Sequence, residues 1–152
     1  MFENVMSMPD RKWLSHVRPN WVVAEDPIFL TFCGKPRRFN QFARPDRWGH
    51  VAAAAEHLSE RRLCAPLLLL AMPDHLHMIV LVPSRLGIAS FVARFKRAAG
   101  YGLDIRWQRG AFDHRIRSDD SYREKWAYVI ANPVRAGLVS SAELWPYVKR
   151  WP

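Results

Sequence analysis

The sequence predicts an α+β fold: a ferredoxin-like βαββαβ sandwich with an antiparallel sheet and an added carboxy-terminal helix. Two apolar runs, Pro66 to Ala71 and His75 to Val82, are separated only by Met72-Pro73-Asp74, the layout of an antiparallel hairpin. Segments with helical apolar spacing lie on either side of this hairpin, at Asp46 to Arg62 and Ile88 to Tyr101. With 49% apolar residues, seven Trp and eight Phe, the 152 residues suffice for one core.

Residues 1 to 26 mix Met, Trp, Pro and charge without periodicity and read as an extension or arm ahead of a domain over 27 to 152. Ile28 to Cys33, after Pro27, is the opening strand by length and by its β-favouring side chains. A basic turn, Gly34 to Phe39, follows. Asp46 is placed after Pro45 to cap a helix whose alanine run leads to Arg62. In the second hairpin strand, His75, His77, Ile79 and Leu81 share one face while Leu76, Met78, Val80 and Val82 share the other. Both faces therefore need cover, which makes this strand central. The next helix carries Ile88, Phe91, Val92 and Phe95 on one side. Ile105-Arg106-Trp107 is the expected fourth strand. Asp119 or Asp120 caps a last helix that ends near Asn132, because Pro133 disfavours continuation.

Twenty-three Lys and Arg against fourteen Asp and Glu give a formal charge of +9. That balance favours a polyanionic partner, and a merely solvated basic surface fits it equally. Cys33 and Cys64 offer no disulfide framework, point to a reducing compartment and argue against a cysteine-built zinc site. No segment approaches the roughly eighteen apolar residues of a membrane span, and Glu3, Pro9 and Asp10 do not suit a signal peptide. The expected location is a bacterial cytoplasm.

The chemistry concentrates in two motifs. His75 and His77 lie two residues apart on one strand face, with backbones roughly 7 Å apart, close enough to share an ion. Tyr128 and Asn132 stand one turn apart on the flank of the last helix, where they can face the histidine side of the sheet. Two imidazoles and an amide suit a divalent ion such as Mg²⁺ or Mn²⁺, with positions left for phosphate oxygens. Tyr128 is then the candidate nucleophile, with Lys125 one turn away as a candidate helper. Taken singly, each motif is more often packing than function; a His-x-His strand pair and an Asn before Pro133 both have structural uses.

Met72-Pro73-Asp74-His75-Leu76-His77 with its apolar strand, followed by Tyr128-Val129-Ile130-Ala131-Asn132-Pro133-Val134-Arg135-Ala136-Gly137-Leu138-Val139, resembles the REP-associated tyrosine transposases. These are single-domain relatives of the IS200/IS605 enzymes in the HUH endonuclease superfamily. In that resemblance His75 and His77 match the HUH motif, Tyr128 the catalytic tyrosine and Asn132 the third metal ligand. It implies that residues 27 to 152 form a catalytic domain, a Y1 transposase that nicks and joins single-stranded DNA beside hairpins through a 5′-phosphotyrosine. It implies single-stranded or hairpin DNA as partner, a monomer or homodimer and a nucleoid location. The opening strand and the amino-terminal arm differ from the family's usual pattern.

A DNA strand held at such a site needs further cations. Lys35, Arg37 and Arg38 in the first turn, with Arg94, Lys96, Arg97, Arg106, Arg109, Arg115 and Arg117 between the two motifs, are the candidates. Trp107, Phe112 and His114 interleave with them as possible stacking platforms, and Asp113 with His114 as a possible relay. Two other readings compete: a non-catalytic nucleic-acid-binding module on the same fold, and a phosphodiesterase that uses metal-bound water while Tyr128 is structural.

Overall fold

The computed structural model describes Pro19, Trp21, Val22 and residues 26–152. The expected arm over residues 1 to 26 otherwise lies outside the described residues. Val22 is buried, and Trp21 packs beside it on the core.

Among the described residues five strands and three α-helices follow one another: β1 (Ile28–Cys33), α1 (Pro45–Glu60), β2 (Ala65–Ala71), β3 (His75–Leu81), α2 (Ile88–Gly100), β4 (Phe112–Arg115), α3 (Asp119–Arg135) and β5 (Val148–Arg150). The sheet order is β4-β1-β3-β2-β5, every pairing antiparallel. The first four strands give the expected ferredoxin-like arrangement, and β3 is central as its two apolar faces require. Strand alternation sends Leu76, Met78, Val80 and Val82 into a core shared with Phe91 and Phe95 of α2 and Val51 and Leu58 of α1. The opposite face buries Ile79, Leu81 and Leu70 against Tyr122, Trp126 and Val129 of α3. Thus α1 and α2 cover one side of the sheet, and α3, with Trp21, Val22 and Trp145 beside it, covers the side to which His75 and His77 belong.

Several boundaries differ from expectation for identifiable reasons. The fourth strand is Phe112–Arg115, paired with Ile28 to Thr31, whereas Trp107 makes only an isolated bridge to Gly34. Both segments border the same edge of β1, and Gly110 at φ 69° lies in the loop between them. Phe112, Asp113 and His114 are exposed, so this edge strand carries no apolar alternation from which to recognise it. Asp46 does not cap α1; its N-cap is Arg44 with Pro45 in the first turn, and the Asp46 carboxylate instead accepts from the Arg44 guanidinium. Ser118, rather than Asp119 or Asp120, caps α3 by accepting from the Ser121 N–H. That helix also runs past Pro133 to Arg135. Pro133 forfeits one backbone bond near the carboxy end, but Gly137 at φ 73° closes the terminus, with Gly137 N–H donating to Val134 O and Leu138 N–H to Pro133 O. β5, which periodicity did not reveal, pairs with β2, and its Lys149 and the following Trp151 both bond Glu56 of α1.

Candidate active site

Register brings the two histidines to their partners. The antiparallel β1–β3 ladder sets Thr31 opposite His77 and Cys33 opposite His75. The Nε2 atoms of His75 and His77 face each other at 3.2 Å, and the Asn132 side-chain amide from α3 reaches His77 Nε2 at 2.6 Å. Each ring is held from behind: His75 Nδ1 lies 2.7 Å from Asp74 Oδ1, and His77 Nδ1 lies 3.1 Å from Thr31 Oγ1. With both rings neutral, these partners keep the proton on Nδ1 and leave two Nε2 lone pairs pointing at one place. Nothing among the described residues bridges those lone pairs, yet their spacing is what two ligands of one ion about 2.1 Å from each would show. A half-turn of the Asn132 amide points its oxygen at the same spot.

The electrostatics suit a neutral donor set. Burial, reinforced by the electrostatic influence of the neighbouring His75, Arg135 and Lys125 side chains, pulls His77 down to about 3. At Asp74, burial pushes upward but is overcome by hydrogen bonds from the Arg38 N–H, His75 and Arg37, which hold the carboxyl at about 2. The Arg38 N–H and Arg37 Nε reach Asp74 Oδ2 at 2.8 and 2.9 Å. Asp74 therefore stays an anion behind His75. Among the described residues no three His, Cys, Asp or Glu side chains are placed to hold a metal ion, so a site here depends on the Asn132 amide.

Tyr128 lies beside this cluster, 43% exposed, its ring centroid 5.9 Å from that of His77. Phe29 stacks on His77 at 5.2 Å and meets Tyr128 edge-on at 6.2 Å. Two cations cover the phenol ring: Arg135 at 4.2 Å and Lys125 at 5.7 Å. Helical spacing explains the grouping, since Lys125, Tyr128, Asn132 and Arg135 follow one another at three- or four-residue steps along α3.

The basic residues divide. Lys35, Arg37 and Arg106 line a shallow groove with Gln108, and Arg37 with Arg38 joins it to Asp74. Lys96 is turned inward, with its ammonium donating to the Gln108 and Gly110 carbonyls over the Trp107 ring. Trp107 itself packs on Phe42 and Phe32 as part of the core edge, which leaves Phe112, 71% exposed, as the freer aromatic. Arg94 and Arg97 lie on the far side of the sheet, in a cleft between α1 and α2. Arg109 and Arg117 are exposed in loops beside β4, and Arg115 is half-buried within it.

Sequence reasoning missed Thr31, Asp74 and Gln41. Asp74 was legible in part, as a carboxylate adjoining the motif. Gln41 is 1% exposed; its Nε2 donates to the Lys35 and Arg106 carbonyls and its Oε1 accepts from the Arg106 N–H, so one amide ties the first basic turn to the 105–108 segment. Gly34 fits against it because a Cβ there would lie 2.5 Å from Gln41 Nε2.

No family model matches the chain. It is 31% identical over 81 residues to the REP-associated tyrosine transposase of Escherichia coli K12, a match covering 50% of this chain and 48% of that protein. A second curated relative, from Haemophilus influenzae, is 28% identical over 93 residues, covering 50% of this chain and 53% of the relative. The chain thus spans about half the length of the curated relatives it matches. The fold is that of a REP-associated tyrosine transposase solved bound to a REP hairpin, with TM-score 0.73 and 22% identity over 86% of this chain and 80% of that one. No helix among the described residues is long and apolar enough to cross a membrane.

Proposed function

We propose, from the chain's kinship in sequence and fold with the REP-associated tyrosine transposases, that it is a metal-dependent endonuclease and strand transferase acting on single-stranded DNA beside hairpins. The observation that carries this reading is the convergence of the His75 and His77 Nε2 atoms and the Asn132 amide next to the Tyr128 ring. His75, His77 and Asn132 would hold a divalent ion, Mg²⁺ or Mn²⁺. That ion supplies Lewis-acid polarisation of the scissile phosphodiester.

The remaining steps belong to the chain's own groups. The Tyr128 oxygen attacks phosphorus as its proton leaves to solvent; the new O–P bond forms as the P–O3′ bond breaks, and the departing oxygen takes up a proton to become a free 3′-hydroxyl. The product is a 5′-phosphotyrosine, and a 3′-hydroxyl attacking it reverses the chemistry and joins strands. Arg135 and Lys125 favour the developing phenolate through their charge above its ring. Asp74 and Thr31 keep both imidazoles in the tautomer that can donate lone pairs. Lys35, Arg37 and Arg106, on the groove beside Asp74, would receive the phosphate backbone.

The test is incubation of the full chain with labelled single-stranded hairpin DNA and Mg²⁺ or Mn²⁺, followed by a denaturing gel. A protein-linked strand that requires both metal and Tyr128 is expected. Cleavage without an adduct, unaffected in Tyr128→Phe, would select the metal-water phosphodiesterase; hairpin binding without any cleavage would select the non-catalytic module.

A further inference from the structure

We propose that the cleft between α1 and α2, on the side of the sheet opposite His75 and His77, binds single-stranded nucleic acid. The cleft has a volume of about 440 Å³, and Arg61, Arg94, Arg97, His50, His57 and Tyr101 line it over an apolar floor that includes Leu58. No lining residue is acidic. The three guanidinium groups make no ion pair or side-chain hydrogen bond among the described residues, so their charge is not answered from within this part of the chain.

The arrangement is periodic on both walls. Arg94 and Arg97 are one turn apart on α2, and His50 and His57 are two turns apart on α1, with Arg61 at the end of the same helix. Cations concentrated along a cleft with apolar walls attract a polyanion more strongly than the same charges on an open surface. Tyr101, at the carboxy-terminal cap of α2, is 77% exposed beside them. Unanswered cations with an uncovered aromatic ring form the combination that grips unpaired strands, phosphates on the charges and a base on the ring. A duplex keeps its bases stacked inside and offers no base face to Tyr101, so the single strand is the occupant we assign.

The inference deepens the DNA-processing reading and rests on it, for a strand cut beside Tyr128 would meet a second contact on the far side of the sheet. The test measures binding apart from cleavage, by fluorescence anisotropy of a labelled oligothymidylate of about 16 nucleotides on the Tyr128→Phe protein. Replacing Arg61, Arg94 and Arg97 together by Ala should weaken binding at least tenfold and flatten the log–log salt dependence by about 2, three phosphates at about 0.7 each. Lysine at the same three positions should restore the slope, because a phosphate contact requires charge; it also provides a reading if the alanine variant fails to fold. Tyr101→Ala should weaken binding about tenfold and leave the slope unchanged. An unaltered slope in the triple alanine variant, or a duplex of equal length showing the same losses, overturns the proposal. Absence of a covalent adduct with the wild-type chain sinks the catalytic reading instead and is scored in a separate experiment.

Discussion

The two faces of β3 bury neighbouring residues by different chemistry. Toward α1 and α2, Leu76, Met78 and Val80 are fully enclosed by carbon. Toward α3, His77 is only 4% exposed but has polar neighbours at 2.6, 3.1 and 3.2 Å, each from a different residue. A buried methylene is stabilised by contact from any direction, whereas a buried imidazole is costly unless specific partners reach it. The first face therefore specifies volume, and the second specifies positions: β1 supplies Thr31, α3 supplies Asn132, and the hairpin turn supplies Asp74 for the adjoining ring. The α1–α2 side of this strand is apolar throughout, whereas the α3 side sets the two imidazoles beside the buried Ile79 and Leu81, so each side should fail in its own way when altered.

The largest separation should come from Tyr128→Phe. Its ring is substantially exposed and its packing survives, so the melting temperature should stay within about 2 °C, while the protein–DNA adduct should fall by about a thousandfold or more on a denaturing gel. An adduct persisting in this variant would remove the nucleophile from the picture.

On the opposite face, Met78→Ala should cost about 2–5 kcal/mol in urea or thermal unfolding and leave the affinity of the folded protein for Mn²⁺ unchanged. His77→Ala should do the reverse in emphasis, abolishing Mn²⁺ binding measured by calorimetry for a smaller loss of stability. If both variants lost metal and stability in equal proportion, the division between the faces would be wrong.

Asp74→Asn sharpens the division within the histidine side. It keeps the shape but removes the anion behind His75, so Mn²⁺ affinity should drop by about 10- to 100-fold. Thr31→Val, which removes the weaker partner of His77, should have a smaller effect on the same measurement.

Acid should act through the histidine face first. His77 is held at about 3 in the folded chain against an ordinary 6.5, so its contribution to stability is fully present above pH 6.5 and is lost as pH falls toward 3, with a slope of at most about 1.4 kcal/mol per pH unit. Asp74, held at about 2 against 3.8, adds a further loss only below about pH 4. Metal-free unfolding measured between pH 7 and 4 should therefore be flatter in His77→Gln, and an unchanged slope would show that other groups carry the acid sensitivity.

Much of this organisation is written locally. Period-two alternation placed His75 and His77 together and required a central strand, and one-turn spacing placed Tyr128 with Asn132 on a helix flank. These follow from backbone geometry that neighbouring residues share, so the sequence by itself determined the opening strand, the hairpin, the helices and which side chains face one way. Helix ends were less legible, because Pro133 weakens continuation without forbidding it and the decision falls to Gly137 four residues later.

Only the tertiary structure decided what lies across from each face. Thr31 meets His77 through the β1–β3 register, Asn132 meets it because α3 crosses that side of the sheet, and Gln41 bonds Arg106, 65 residues further along the chain. The exposed Phe112–Arg115 strand exists because the β1 edge was there to pair with it, not because its residues announce a strand. The same holds for the cleft that gathers Arg61 with Arg94 and Arg97. Contacts of this kind depend on the packing of distant elements, and a residue's own neighbours in the chain carry no record of it.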